Sequence, residues 1–252
     1  MARPRIIHSL WRDGTMLDPS SQDPQHPAAD LQADTKSMFY KASSLVAPCK
    51  VPNDLITAQV IDFVAILDHN FEPTGVTIKF QGATNSAFTE GLVTEELTYN
   101  ATNIFKFFTA WAAKQYVRVL LEKGTNFTDY PQFANVICGK HFELNRSGGP
   151  GYGWGPEDPS VVEEGDSGVA FAWEKPRKNV GNFPFVGISD AVKEEILNFL
   201  DEVGIHNAFV LCFDYADPNN ESVWVRNSEA VVPRWDGTDN CWIWELRVRE
   251  VK

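Results

Sequence analysis

The segment Ser147–Pro159 divides the chain, because it cannot form long regular structure. It holds five glycines and three prolines. Glycine adds backbone freedom and proline removes a hydrogen-bond donor, so we expect a module boundary here. The length of 252 residues also favours two cores, since a domain typically takes about 150 residues. We predict a first domain at 1–146, a linker at 147–160 and a second domain at 161–252.

The first domain is predicted to be an antiparallel β-sandwich. In Val76–Gln81 apolar and polar residues alternate, which is typical of a strand with one face in a core and the other in water. Val60–Leu67 is almost wholly apolar, as expected for a central strand, and Asp62 is its single exception. The full set of predicted strands is Met38–Ala42, Thr57–Leu67, Gly75–Gln81, Leu92–Tyr99, Tyr116–Glu122 and Phe133–Leu144.

Two segments of this domain do not fit a simple strand pattern. Ser9–Asp34 is rich in Asp, Pro, Ser and Gln, so we expect an arm without long regular elements. Ile104–Leu121 fits either strands or a helix, because several apolar residues in it would also share one helical face. These residues are Phe105, Phe108, Ala112, Tyr116 and Leu120. Periodicity alone does not decide between the two structures.

The second domain is predicted to be a smaller α+β module with one main helix. Ser189 is a suitable N-cap, an apolar stripe runs from Val192 to Val203, and Gly204 is a suitable helix end. Strands are predicted on both sides of this helix, and a turn is predicted at Asp217–Asn220. Those strands are Val169–Trp173, Ala208–Tyr215, Val223–Arg226 and Trp242–Arg249.

Charge and hydropathy limit the partners. The net charge of −12 argues against nucleic acid, whose affinity for proteins comes largely from Lys and Arg. No apolar run approaches the roughly 20 residues that span a bilayer, so we expect no membrane insertion. Met1–Gly14 lacks the apolar core of a signal peptide, so we expect folding in the cytoplasm with free, buried thiols. The thiols are those of Cys49, Cys138, Cys212 and Cys241.

The motifs that resemble catalytic or metal sites have simpler explanations. Gly165–Gly168 reads Gly-Asp-Ser-Gly, as around a protease nucleophile, but no histidine has the matching context, so a polar turn is favoured. His69, His141 and His206 have no second His or Cys at metal-ligand spacing. We therefore predict no enzyme activity, with no catalytic residue, no cofactor-binding residue, no cofactor and no metal.

Two aromatic residues of the predicted linker are candidate interaction anchors. Tyr152 and Trp154 alternate with glycines. Large aromatic side chains contribute disproportionately to interfaces, so these two either pack back on a module or contact a neighbouring subunit.

Several stretches of the first domain resemble one known family. They are Pro27–Gln32, Phe39–Ser43, Gln59–Asn70, Gly75–Gly82, Tyr116–Val119 and Asn135–Leu144. In this order they resemble the discoidin-like (F5/8 type C, galactose-binding-like) β-sandwich of tailed-bacteriophage and prophage tail structural proteins. The resemblance covers residues 5–145. It implies a jelly-roll fold in which Ile104–Thr109 and Tyr116–Glu122 are paired strands, and it implies no catalytic residues.

The resemblance also implies a function and a location. We expect a virion structural protein of a tailed phage or phage-like particle, in the tail tip, baseplate or a tail-attached ring. Its partners would be other tail proteins and further copies of itself in a ring, after assembly in the host bacterial cytoplasm. The alternative is a carbohydrate-binding module, or adhesin, for a host surface glycan.

Overall fold

The computed structural model describes residues 3–144, 153–157, 161–164, 170–173, 177–237 and 241–251. Its internal contacts divide the chain into two units. The sandwich unit contains Ala2–Glu143 and a later segment, Phe209–Ser222. The C-terminal unit contains Leu144–Ala208 and Val223–Lys252.

The sandwich unit contains most of the short strands, and we number all strands in chain order. The first twelve are β1 (Arg5–His8), β2 (Thr15–Met16), β3 (Tyr40–Lys41), β4 (Cys49–Gln59), β5 (Phe63–Leu67), β6 (Val76–Ala83), β7 (Val93–Leu97), β8 (Asn103–Phe107), β9 (Lys114–Lys123), β10 (Gln132–Phe133), β11 (Asn135–Gly139) and β12 (Phe142–Glu143). Short helices α1 (Leu10–Asp13) and a 3-10 turn (Ala28–Gln32) lie in the N-terminal arm.

Two antiparallel sheets form the sandwich. One has five strands in the order β2-β4-β9-β6-β7, and the other has three in the order β11-β5-β8. Strands β3 and β10 form a separate pair. The apolar side chains between the sheets form one core, to which Phe80 and Val119 contribute from the larger sheet and Val64 and Ile104 from the smaller.

The smaller sheet is buried on both faces. All five residues of β5 are buried, as the sequence predicts for a central strand. Outside this sheet, β1 pairs with β12 and with β17 (Ala208–Cys212). Helix α3 (Pro218–Glu221) follows, and the Asn219 Oδ1 accepts a hydrogen bond from the Phe105 N–H at 2.8 Å. The returning segment 209–222 thus covers apolar surface of the sandwich.

The N-terminal arm is part of the core rather than a peripheral loop. Trp11 and Leu31 are fully buried. The Asn53 Nδ2 donates to the Trp11 carbonyl at 2.6 Å, and the Gln32 Nε2 donates to the Gly14 carbonyl at 2.7 Å. These bonds satisfy backbone groups that would otherwise be buried without partners.

The ambiguous segment Ile104–Leu121 is two strands, β8 and β9, and the helical alternative is wrong. The expectation that these strands pair with each other is also wrong: β8 pairs with β5, whereas β9 pairs with β4 and β6. The chain crosses from one sheet to the other between them, and Trp111, which is 8% exposed, packs into the core at the crossing.

The C-terminal unit is built on one antiparallel sheet and one main helix. The strands are β13 (Gly153–Glu157), β14 (Val161–Glu164), β15 (Ala170–Trp173), β16 (Lys178–Ile188), β18 (Ser222–Glu229), β19 (Arg234–Asp236) and β20 (Cys241–Glu250). Strand β20 pairs with β16, β18 and β19, and β13 pairs with the other side of β16. Strands β14 and β15 form a pair of their own.

Helix α2 (Asp190–Val203) has the predicted ends. The Ser189 Oγ accepts from the Val192 N–H at 3.4 Å, and Gly204 has a positive φ of 55°. The helix buries Val192, Ile196, Phe199 and Val203. Phe199 packs edge-on against Trp244 of β20 with ring centroids 6.4 Å apart.

The predicted fold class is confirmed: the chain is mainly β, with an antiparallel jelly-roll sandwich and a smaller α+β module. The domain boundaries stay a prediction, because residues 145–152 and 158–160 of the boundary region lie outside the described residues. The part that is described, Gly153–Glu157, forms the edge strand β13. An edge strand pairs on one side only, which is why it tolerates Pro156.

Removing the Phe80 ring should destabilise the sandwich strongly. Phe80 is fully buried and stacks on Trp111 with centroids 5.4 Å apart. We expect Phe80→Ala to lower the free energy of unfolding by about 3–5 kcal/mol, as for other buried phenylalanines. Urea unfolding followed by circular dichroism and tryptophan fluorescence measures this change.

Leu92→Ala is the matched control, because Leu92 is 44% exposed. We expect it to change the free energy of unfolding by no more than about 0.5 kcal/mol. Equal effects of the two substitutions would contradict the packing described for Phe80.

Candidate functional site

The structure describes only one of the two predicted interaction anchors. Tyr152 lies outside the described residues. Trp154, on β13, is half-buried and stacks on Phe183 of β16 with centroids 6.2 Å apart. A Cβ atom added to Gly181 would lie 2.7 Å from the Trp154 ring, so a glycine is needed beneath it. The role of both aromatics as interaction anchors stays a prediction.

Within the ranges that the structure describes, the other sequence candidates do not come together as a site. The turn Gly165–Gly168, with Ser167, lies outside the described residues. Among the described residues, no group of three or more His, Cys, Asp or Glu side chains has the arrangement of a metal site. The four cysteines are free; Cys241 is half-buried and the others are buried. No helix in the described part of the chain is long and apolar enough to cross a membrane.

Three loops meet at one end of the sandwich, where β5, β7 and β9 end. Leu67 lies opposite Asn103 and Asn135 in the smaller sheet, and Lys123 lies opposite Val76 in the larger one. Hydrogen bonds of residues 69, 70 and 72 then connect the three loops. We call residues 68–75, 98–102 and 124–131 the loop rim.

The side chain of Asn70 fixes two loops of the rim to each other. Its Nδ2 donates to the Tyr130 carbonyl at 3.0 Å, and its Oδ1 accepts from the Gln132 N–H at 2.8 Å. The Asn70 N–H donates to the Gln132 carbonyl at 3.2 Å. One residue thus makes three bonds across the gap, which hold the backbone at Tyr130 and Gln132.

His69 fixes the loop at 98–102. Its N–H donates to the Thr102 carbonyl at 3.3 Å, and its Nδ1 accepts from the Phe71 N–H at 3.1 Å. The imidazole stacks on Phe71 at 4.3 Å and meets Tyr99 edge-on at 5.8 Å. Burial among these rings lowers the pKa of His69 to about 4, although a hydrogen bond to the Asn100 backbone and the Asp68 charge favour protonation.

Glu72 fixes the third loop. Its carboxylate accepts hydrogen bonds from the Lys123 ammonium and, at 2.6 Å, from the Thr128 N–H. The hydrogen bond from Lys123, followed by that from Thr128, lowers the pKa of Glu72. The carboxylate therefore stays ionised and acts as a structural connection between β9 and its loop.

The fixed backbone of the rim presents exposed aromatic and polar groups. Tyr130 is 43% exposed, and the Lys41 ammonium lies 5.6 Å from the centre of its ring. Asp68, which has a positive φ of 51°, is exposed and lies 3.6 Å from the Lys36 ammonium. Asp129 is also exposed. The rim therefore offers one apolar ring face next to carboxylates and amides that exchange hydrogen bonds with hydroxyl groups.

The rim is a surface and not a deep pocket. The cavity between Asn70, Asp129 and Pro131 has a volume of about 10 Å³. That is about the space for one water molecule. A ligand at this end would therefore lie on Tyr130 and its neighbours, with much of its own surface in solvent.

Sequence reasoning missed the rim. It set His69 aside because no second His or Cys lies at metal-ligand spacing, and it did not consider Tyr130. The available signal was composition: Asp68–Asn70 and Asp129–Pro131 are polar, turn-forming stretches that each lie next to a buried strand or its extension. Their meeting depends on strand order, which the local sequence does not contain.

No protein-family model and no curated protein sequence matches the chain. Several solved structures are similar to about half of it. One is chitosan-binding module 1 of a chitosanase/glucanase from Paenibacillus sp. IK-5, with 19% identity, a TM-score of 0.44, and coverage of 53% of this chain and 99% of the module. Another is the family 32 carbohydrate-binding module of NanJ from C. perfringens in complex with galactose, with 13% identity, a TM-score of 0.42, and coverage of 54% and 98%.

A third similar structure is the lectin domain of lectinolysin complexed with Lewis B antigen. It has 17% identity and a TM-score of 0.41, and the match covers 52% of this chain and 94% of that domain. None of these three structures is described as a phage protein, so the predicted role in a virion, the ring and the tail partners stay predictions.

The buried His69 should make stability depend on pH. Its pKa is about 4 in the folded chain and near 6.5 when exposed. Below pH 6.5 the unfolded chain therefore binds a proton that the folded chain does not, so stability falls as the pH falls towards 4. The full contribution is about 3 kcal/mol. Urea unfolding of the wild type and of His69→Asn at several pH values measures it.

We expect a weaker loss of stability between pH 6.5 and 5 in His69→Asn, whose side-chain oxygen can still accept from the Phe71 N–H. His206→Asn is the control, because His206 is exposed, and it should keep the wild-type pH profile. Identical pH profiles for all three proteins would show that His69 is not held neutral by burial.

Proposed function

We propose that the protein is a non-catalytic carbohydrate-binding protein, and that its sandwich unit binds a glycan on the loop rim. The observation that carries this proposal is the exposed Tyr130 ring on a backbone that hydrogen bonds hold at Thr128 before it and at Tyr130 and Gln132. Sugar rings offer flat C–H faces that pack on exposed aromatic rings of this kind.

The rigidity of the rim favours binding. Asn70, His69 and Glu72 each tie one loop to another part of the sandwich. A surface that is already ordered loses little conformational entropy when it binds, so a small contact area is enough for useful affinity. This matters on a shallow surface, where the ligand gains little from enclosure.

The carboxylates of the rim suit hydrogen bonding better than acid–base catalysis. Glu72 is held ionised by Lys123 and the Thr128 N–H, and Asp68 lies beside Lys36. A general acid must keep its proton near neutral pH, which requires a raised and not a lowered pKa. Ionised carboxylates accept hydrogen bonds from sugar hydroxyls, so we infer a neutral glycan as the ligand at this end.

This proposal takes up the alternative function predicted from sequence and does not depend on the virion role. A glycan-binding unit serves a tail fibre, an adhesin or a secreted protein equally well. The enzyme, localisation and ring predictions are therefore separate proposals.

Removing the Tyr130 ring should abolish most of the glycan binding. We expect a glycan array to identify a neutral ligand for the full chain; galactose and Lewis b antigen are suitable members of it. Isothermal titration calorimetry should then show an affinity about tenfold or more lower in Tyr130→Ala, as for other central aromatic contacts. Tyr130→Trp should retain binding.

Tyr215→Ala is the matched control, since Tyr215 belongs to the same unit and is 45% exposed. It should bind like the wild type. Absence of saturable binding to every neutral glycan on the array, or equal binding by Tyr130→Ala, would overturn the proposal.

A further inference from the structure

The sheet of the C-terminal unit has one face packed under α2 and one outer face. Residues alternate along β20: Trp244, Leu246 and Val248 are buried, while Arg247 and Arg249 are exposed. On β16, Asn182 lies opposite Arg247 and Val180 lies opposite Arg249, so these four side chains share the outer face.

Arginines are concentrated on this outer face. Arg249 lies directly opposite Arg226 of β18, and Arg247 is the next outward residue along β20. Like charges at directly opposed positions of an antiparallel pair are unfavourable. Three guanidinium groups thus lie side by side on this face of a chain whose net charge is −12.

Arg247 and Arg249 differ in their partners. The Arg247 guanidinium lies 2.7 Å from the Glu229 carboxylate and 3.1 Å from that of Glu245. The hydrogen bond to Glu245, and the charges of both carboxylates, raise the pKa of Arg247. For Arg249, no hydrogen bond or ion pair is found within the described ranges of the chain. Its donors are therefore available to a ligand, next to a second guanidinium held in place.

A broad groove lies on this face. Its volume is about 750 Å³, and its lining includes Arg247, Arg249, Asn182, Ser228 and Glu157. Its edge is formed by β13, where a Cβ atom added to Gly153 or Gly155 would meet no atom within 4 Å. The two glycines thus leave space along the edge, and the polar side chains offer both donors and acceptors.

We propose that this groove binds an acidic saccharide, with a carboxylate or sulfate group beside Arg247 and Arg249 and sugar hydroxyls bonded to Asn182, Ser228 and Glu157. Guanidinium groups bind such oxyanions with two parallel hydrogen bonds. The site is distinct from the loop rim, which belongs to the sandwich unit. The rim is proposed to bind a neutral glycan, whereas this groove is proposed to bind an acidic one.

The mixed lining favours a saccharide over other polyanions. Glu157, Glu229 and Glu245 lie on the same face as the arginines, and they would repel a dense polyphosphate such as nucleic acid. A saccharide carries few charges among many hydroxyls, so the same carboxylates serve as hydrogen-bond acceptors. The few negative charges of an acidic saccharide therefore match the arginines of the groove, and its hydroxyl groups match the carboxylates.

The test is binding of trigalacturonate and of a heparin-derived tetrasaccharide to the full chain by isothermal titration calorimetry at low salt. The first probe carries carboxylates and the second carries mainly sulfates, so their comparison identifies the oxyanion. We expect saturable binding of at least one of them. Arg249→Gln should weaken it about tenfold or more, as expected for loss of a charge-assisted hydrogen bond. Gly155→Phe should block it by filling the groove.

Lys193→Gln is the matched control, because it removes one positive charge from α2, on the other face of the same sheet. It should bind like the wild type. Tyr130→Ala should also retain acidic binding, and Arg249→Gln should retain neutral-glycan binding, so failure of one site is distinguishable from failure of the other.

Two results would overturn the proposal. One is the absence of saturable binding of both acidic probes, or equal binding by Arg249→Gln. The other is tighter binding of an oligo-glutamate peptide or of a short single-stranded DNA than of either saccharide, which would assign the groove to another class of ligand.

Discussion

The sandwich unit depends on the burial of β5 on both faces. Its inner side chains pack against the five-stranded sheet. Its outer ones need a second cover, and Phe63 on that side is fully buried. Two side chains attach the segments that cover this outer face. Asp62, just before β5, accepts a hydrogen bond from the His141 N–H at 2.9 Å. Asn219, in the segment 209–222, accepts one from the Phe105 N–H of the neighbouring strand β8. A short apolar strand therefore requires residues that lie far away in the sequence, since these two hydrogen bonds span 79 and 114 positions, as expected when hydrophobic burial determines topology.

The same arrangement prepares the loop rim. Because β5, β8 and β11 are held side by side, the loops that follow and precede them are brought within hydrogen-bonding distance, and Asn70 and His69 can reach backbone groups of two other loops. Bonds of this kind remove backbone freedom before any ligand arrives. The exposed Tyr130 is thus rigid because of the core beneath it, although it contributes nothing to that core.

Local patterns predicted the elements better than their connections. The helix α2 was predictable from Ser189 to Gly204, because cap, apolar stripe and end all agree within one short segment. The sequence analysis did not predict the part of strand β4 before Thr57, because Pro52, Asn53 and Asp54 are residue types that disfavour strands. Asn53 is nevertheless fully buried in this strand, because its side chain donates a hydrogen bond to the distant Trp11 carbonyl. Likewise β8 and β9 were expected to pair. The choice between pairing and crossing to the other sheet rests on long-range burial, which periodicity does not record. The rim and the outer groove were missed for the same reason, since each joins residues from separate strands.

Average composition also concealed the electrostatics of the C-terminal unit. A net charge of −12 suggests that the chain repels all anions. This expectation suits a long polyphosphate, because its many charges interact with the whole protein surface. Screening confines such effects to about 10 Å in ordinary salt. A sparsely charged ligand therefore responds mainly to the groups it touches, and the charged groups that line the outer groove are Arg247, Arg249 and Glu157. The predicted exclusion of nucleic acid and the proposed binding of an acidic saccharide are thus compatible in one acidic chain, because the first depends on total charge and the second on the groups at the groove.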